Sequence, residues 1–162
     1  MVFTFGTPFA LLTSMIEMLA NQRFLANRFD EALPLYNELV DAGRITTSIR
    51  RRQLVCEIVA GDLVTAASRA LALLHDNPNG LLQFEPGDDC PCEWLIQYLT
   101  ESDLSFSGRF RVALLSLYGC GVSARKQFDE LYRTADRELS SLAFQLLHEL
   151  EEKLPCESGT VS

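Results

Sequence analysis

Histidine is nearly absent from this chain: His75 and His148 are the only two. Neither opens an H-E-x-x-H string, and His148-Glu149 has no second histidine to complete one. Zinc wants four soft ligands close together. Cys90-Pro91-Cys92 supplies one C-x-C pair, but no second close pair accompanies it, and Cys120 and Cys156 lie elsewhere. No glycine-rich loop is present to cradle a phosphate. Ser123-Ala124-Arg125-Lys126 matches S-x-x-K, yet the companion motifs of that chemistry are missing. These gaps predict a protein that is not an enzyme, with no metal and no cofactor.

Long apolar runs are also lacking. The stretch from Phe9 to Ala20 is broken by Thr13, Ser14 and Glu17, too short to span a bilayer. No basic residue precedes it, so it makes a poor signal peptide. Positive charge is in deficit: 14 Lys and Arg stand against 22 Asp and Glu, a formal net charge of -8. Such a chain repels a phosphate backbone on average, which excludes nucleic acid as the expected partner. The basic residues that cluster are Arg44, Arg50, Arg51 and Arg52, while residues 129–162 carry eight acids and three bases. The five cysteines are odd in number, and a 162-residue domain does not need disulfide staples. The simpler expectation is a reducing, cytoplasmic location.

What the chain does have is helical patterning. Hydrophobic residues make up 48% and charged residues 22%, ordinary values for a globular domain. Thr7-Pro8 suits a helix start, and Leu12, Met15, Ile16, Leu19, Phe24 and Leu25 follow at helical spacing. Asn27-Arg28 marks a turn, and Ala32, Leu35, Tyr36, Leu39 and Val40 form a second stripe ending at Gly43. Thr46, Thr47 or Ser48 opens a third helix, broken by Gly61-Asp62, and a fourth runs from about Leu63 to His75. Asn77-Pro78-Asn79-Gly80 ends it, and residues 80–90 read as a loop. Further helices are expected over 91–101, from Ser105 or Ser107 to Gly119, from a Ser123 cap, and from an Asp136 cap. The expected fold is all-α, with about seven or eight helices.

A period of 34 residues links the first half. Shifted by 34, Phe29 falls on Leu63, Ala32 on Ala66, Leu39 on Leu73 and Gly43 on Asn77. A helix pair of this size cannot bury its apolar faces alone, so neighbouring pairs must stack. Leu19-Ala20, the turn at Gly61, the alanines Ala32 and Ala66, the aromatic Tyr36 and the closing Pro78 together resemble the tetratricopeptide repeat family. Asn27 replaces the turn glycine, Arg23 and Glu57 replace a large apolar residue, and Leu54 replaces a small one. The resemblance implies an α-solenoid of antiparallel pairs, one domain over 1–155 with a flexible tail over 156–162. Its units would cover about 13–46 and 47–79, with a weaker third over 94–122 turning at Gly108, and helices over 123–153. In size and architecture alone the chain is similar to bacterial type III secretion chaperones of the tetratricopeptide class.

In that family the first helix of each pair lines a concave face that holds a peptide or a helix of a partner. Carried onto this chain, the implied partner-binding residues are Glu17, Asn21, Phe24 and Leu25, then Ser48, Arg51, Arg52, Val55 and Ile58. Phe24, Leu25, Val55 and Ile58 suit a packed core equally well. Arg51 and Arg52 fit a surface role, since arginine is seldom buried unpaired, and they favour a partner with acidic groups. Glu17 stands where a carboxylate-gripping member of the family carries lysine, which speaks against a C-terminal carboxylate as ligand. The expected function is a protein-binding adaptor or chaperone. The alternatives are a thiol- or metal-dependent protein centred on Cys90 and Cys92, and a structural, self-associating subunit whose groove is filled by helix 137–153.

Overall fold

The computed structural model describes residues 6–84, 89–134 and 137–154. Asp136 lies outside the described residues. The described chain is all-α, with nine helices and no strand: α1 (Gly6–Leu25), α2 (Phe29–Asp41), α3 (Thr47–Ala60), α4 (Leu63–Asp76), α5 (Asn79–Leu82), α6 (Cys92–Ser102), α7 (Phe106–Leu115), α8 (Gly121–Leu131) and α9 (Arg137–Lys153). The chain divides into two compact units, Met1–Gly61 and Asp62–Ser162. The division falls inside the stretch 47–79, placing α3 in the first unit and α4 in the second.

In the first unit α1 packs on α2, and α2 on α3. Two left-handed residues close the helix ends. Asn27 has φ 62°, with its N–H on Phe24 O and the next N–H, of Arg28, on Arg23 O. Gly43 has φ 87°, with its N–H on Val40 O and that of Arg44 on Leu39 O. Both are Schellman closures, which satisfy carbonyls left bare at a helix C-terminus. Thr46 then caps α3, its hydroxyl accepting from Ile49 N. The core gathers Ala20, Phe24, Phe29, Ala32, Tyr36 and Leu39 with Ile49, Leu54, Val55 and Ile58. Phe24 stacks edge-on against Phe29 at 5.4 Å and Tyr36 at 6.2 Å.

In the second unit α4 packs on α9, α5 and α7, while α8 packs on α7 and α9, and α6 on α7. The expected loop over 80–90 begins with the four-residue helix α5. Asn77 Oδ1 accepts from Gly80 N and Pro78 sits at the turn's start, so the segment that stops α4 also restarts the chain. Ser105 caps α7 by accepting from Gly108 N. Gly108 therefore lies within the first turn of α7 and not between helices. Ser123 is not a cap: α8 begins two residues earlier at Gly121, and Ser123 Oγ accepts from Gln127 Nε2 inside the helix. Gly121 is buried, and a Cβ there would press on Leu82 and Leu154, so glycine lets the start of α8 enter the core. The terminal helix is integral to this unit, burying Leu139, Ala143, Leu146, Leu147 and Leu150.

Asp62 caps α4, accepting from Thr65 N and Thr65 Oγ1. Those two bonds, helped by the charge of Arg111, hold its carboxyl below the ordinary 3.8. A depressed folded value means the cap's contribution is present above the unfolded pKa and is lost as pH falls through the folded one. The stability gap between wild type and Asp62→Ala should therefore narrow between about pH 5 and pH 2 in thermal melts. A gap independent of pH would show that the carboxylate charge plays no part.

Candidate functional site

Helix α1 is apolar on two opposite faces. Ala20 and Phe24, with the small Thr13, are buried within the unit. The other face carries Leu11, Leu12, Met15, Met18, Leu19 and Leu25, exposed by 37 to 61%. A helix apolar all round is normally buried all round. Here one face is packed and the other is open. The remaining large exposed hydrophobics are Ile45, Trp94, Tyr98, Leu104, Val122 and Phe144, so no other described helix exposes more than two.

An open groove of about 370 Å³ runs along this helix, lined by Ser14, Glu17, Met18, Asn21, Gln22 and Leu25. It brings together three of the residues expected from the sequence, Glu17, Asn21 and Leu25. Glu17 is half-buried and paired with Arg44, Oε1 to Nε 2.9 Å. Asn21 Oδ1 accepts from the Tyr36 hydroxyl at 2.7 Å. Both side chains are thus braced by the unit that carries them, and Leu25 is open to solvent.

The other expected residues lie apart from this groove. Phe24, Val55 and Ile58 are core residues, each 2% exposed or less. Arg52 is buried too, 9% exposed, with its guanidinium carbon 4.9 Å from the centre of the Phe24 ring. A weakly hydrated, planar cation over an aromatic face is a stable way to bury arginine. Ser48 and Arg51 are half-exposed on α3. Leu11, Leu12, Met15, Met18 and Leu19, which the family resemblance does not mark as partner-binding, are the residues that this face exposes. Leu12, Met15 and Leu19 have the helical spacing of a packed stripe, and spacing alone gives no sign that the stripe is open.

The second unit has open surface hollows of about 600 Å³ beside Cys120 and Val122 and about 510 Å³ beside His75 and Phe144, and a more enclosed cleft of about 210 Å³ between Thr100, Leu104, Val112 and Leu131, with Asp103, Arg109 and Glu130 among its polar lining. Asp103 is occupied in bracing its own loop, accepting from Ser105 N at 3.0 Å. Hydrogen bonds from Ser105 also hold its carboxyl below the ordinary range. The cleft falls short of the ~300 Å³ at which small-molecule sites begin. Among the described residues, no group of three His, Cys, Asp or Glu side chains could hold a metal. No described helix is long and apolar enough to cross a membrane.

Cys90 is fully buried and disulfide-bonded, so it offers solution no nucleophile. The Cys92 side chain and Cys156 lie outside the described residues. Cys56 and Cys120 are free thiols. Burial, with the neighbouring Glu57 charge, pushes the Cys56 thiol far up, against a smaller opposing pull from Arg52. A maleimide should therefore label exposed Cys120 in the native protein and reach Cys56 only after unfolding, as site-resolved mass spectrometry would show. Native labelling at Cys56 would mean that α3 opens readily.

No protein-family model, curated protein or solved structure matches this chain. The functional reading accordingly rests on the site itself.

Proposed function

We propose that the protein is a non-catalytic, protein-binding helical module whose contact surface is the open face of α1. The observation that carries this reading is the stripe Leu11, Leu12, Met15, Met18, Leu19 and Leu25, exposed on a helix whose opposite face is packed. A contiguous apolar patch of this kind on a water-exposed surface marks an interaction site. Methionine suits it, because a flexible, polarizable side chain adapts to a partner's contour. The tetratricopeptide-like reading is kept for the α1–α2 pair, supported by the tight turn at Asn27 and by Ala20 and Ala32, both fully buried where the helices approach. The partner element is a helix or extended peptide with an apolar face. The stripe that would receive it holds no basic side chain, so acidic groups are not required of it.

Affinity capture from native extract tests this, with wild type beside Met18→Glu. Loss of captured protein with unchanged helicity is the expected result. An identical captured set from both proteins would remove α1 as the contact surface.

A further inference from the structure

We infer that the occupant of the open α1 face is a second copy of this chain, paired α1 to α1 about a two-fold axis. The inference rests on the reading of α1 as the contact surface and adds the partner's identity.

The spacing of the stripe comes first. Leu11, Met15, Met18, Gln22 and Leu25 follow one another at intervals of four, three, four and three. That is the 3.5-residue repeat with which two helices keep their apolar seams in register. Leu12 and Leu19 widen the seam on one side. A partner that is itself a helix with the same repeat meets this pattern fully.

Charge narrows the choice. Glu17 and Arg23 are the only ionisable side chains on α1. Each is engaged within its own unit, Glu17 with Arg44 and Arg23 with Glu31 at 3.8 Å. The face therefore offers a partner no free charge, and its complement must be apolar and uncharged. Among the described helices, the one with such a face is α1 itself. Residues 1–61 carry six basic and six acidic side chains, so two such units meet without net repulsion. The whole formal charge of -8 resides in residues 62–162, with eight basic and sixteen acidic side chains.

Area agrees. At on the order of 100 Å² per half-exposed leucine or methionine, the six side chains offer about 600 Å² per copy, and a pair would bury ~1,200 Å², the lower edge of specific interfaces. Area alone does not set the affinity, so the association is followed as a function of concentration. Gln22 is the polar member of the seam. A single polar residue at such a position weakens the pairing but fixes its register.

Sedimentation equilibrium of the full chain over about 1–200 μM tests the inference. Wild type should pass from monomer to dimer. Met18→Glu and, separately, Met15→Glu should stay monomeric, at least ~30-fold weaker in association, because each dimer would have to bury two carboxylates. Both positions are more than half exposed, so far-UV circular dichroism should be unchanged. Trp94→Glu, on an exposed site of the second unit, should dimerise like wild type. A wild type that is monomeric throughout, or a dimer that survives both α1 variants or is lost in Trp94→Glu, overturns the inference. A monomeric wild type whose capture from extract still depends on Met18 would leave α1 as a contact surface for a different protein. Monomer together with Met18-independent capture would overturn both readings.

Discussion

Phe24→Ala should destabilise the first unit by about 3–5 kcal/mol, while the adjacent Leu25→Ala should change the stability of the monomer, read at about 1 μM protein, by less than about 0.5 kcal/mol. The two side chains are neighbours in sequence and stand on opposite sides of α1. Phe24 is 2% exposed and Leu25 61%. Removing the Phe24 ring takes away the edge contacts of Phe29 and Tyr36 and the face on which Arg52 rests. It leaves a cavity beside a buried guanidinium, so the lost transfer energy is joined by the loss of a cation–π contact. Urea unfolding followed by circular dichroism reads the difference. A small effect at Phe24 with a large one at Leu25 would mean that Phe24 is a groove residue, as the family resemblance allowed, and that the packed and open faces of α1 have been interchanged. Because the chain forms two compact units, the melts are to be fitted without assuming a single transition.

Gly108→Val should destabilise the second unit by about 2–3 kcal/mol. Gly108 is buried in the first turn of α7, and a Cβ there would overlap the main-chain oxygen of Asp103. That oxygen cannot easily retreat. Asp103 N is bonded to Leu99 O, and the Asp103 carboxylate accepts from Ser105 N, so the α6–α7 connection is held at both ends. Relief would require the cap at Ser105 to open. At Gly121, by contrast, a Cβ meets only the side-chain ends of Leu154 and Leu82, which can turn aside. Thermal unfolding should show a fall of roughly 10–20 °C for Gly108→Val, and clearly less for Gly121→Ala. Comparable falls would mean that the Asp103 turn is softer than its hydrogen bonds indicate.

Helix ends were the part of the fold most legible in the sequence, because their signals are local. Asn27, Gly43, Thr46 and Ser105 each close or open a helix through bonds to residues within five positions. Where one residue type serves two roles, local spacing does not separate them. Asn77-Pro78 both stops α4 and starts α5, and Ser123 has the chemistry of a cap but lies inside a helix that a buried glycine begins.

The candidate site was harder to see, for a physical reason. Helical spacing identifies apolar stripes but does not say which of two stripes on one helix is covered. On α1 the inner stripe is built from small residues and one aromatic, Thr13, Ala20 and Phe24, and the outer from long aliphatics. Size alone therefore pointed the wrong way. The burial of Arg52 was equally hidden, since it depends on a ring 28 positions earlier on a different helix. Glu17, Asn21 and Leu25 were found because they sit at the edge where the stripes meet and share the open groove.

The three methionines, Met1, Met15 and Met18, give a direct view of the open α1 face, because two of them lie in its centre. Methyl-labelled methionine gives three resonances, assigned by single Met→Leu variants. If α1 is the surface through which this chain pairs, the Met15 and Met18 methyl signals will shift or broaden between about 10 and 500 μM. The same signals will stay fixed in Leu11→Glu, whose substitution lies on the same stripe. Met15 and Met18 signals that hold one position across that range in the wild type would contradict the account.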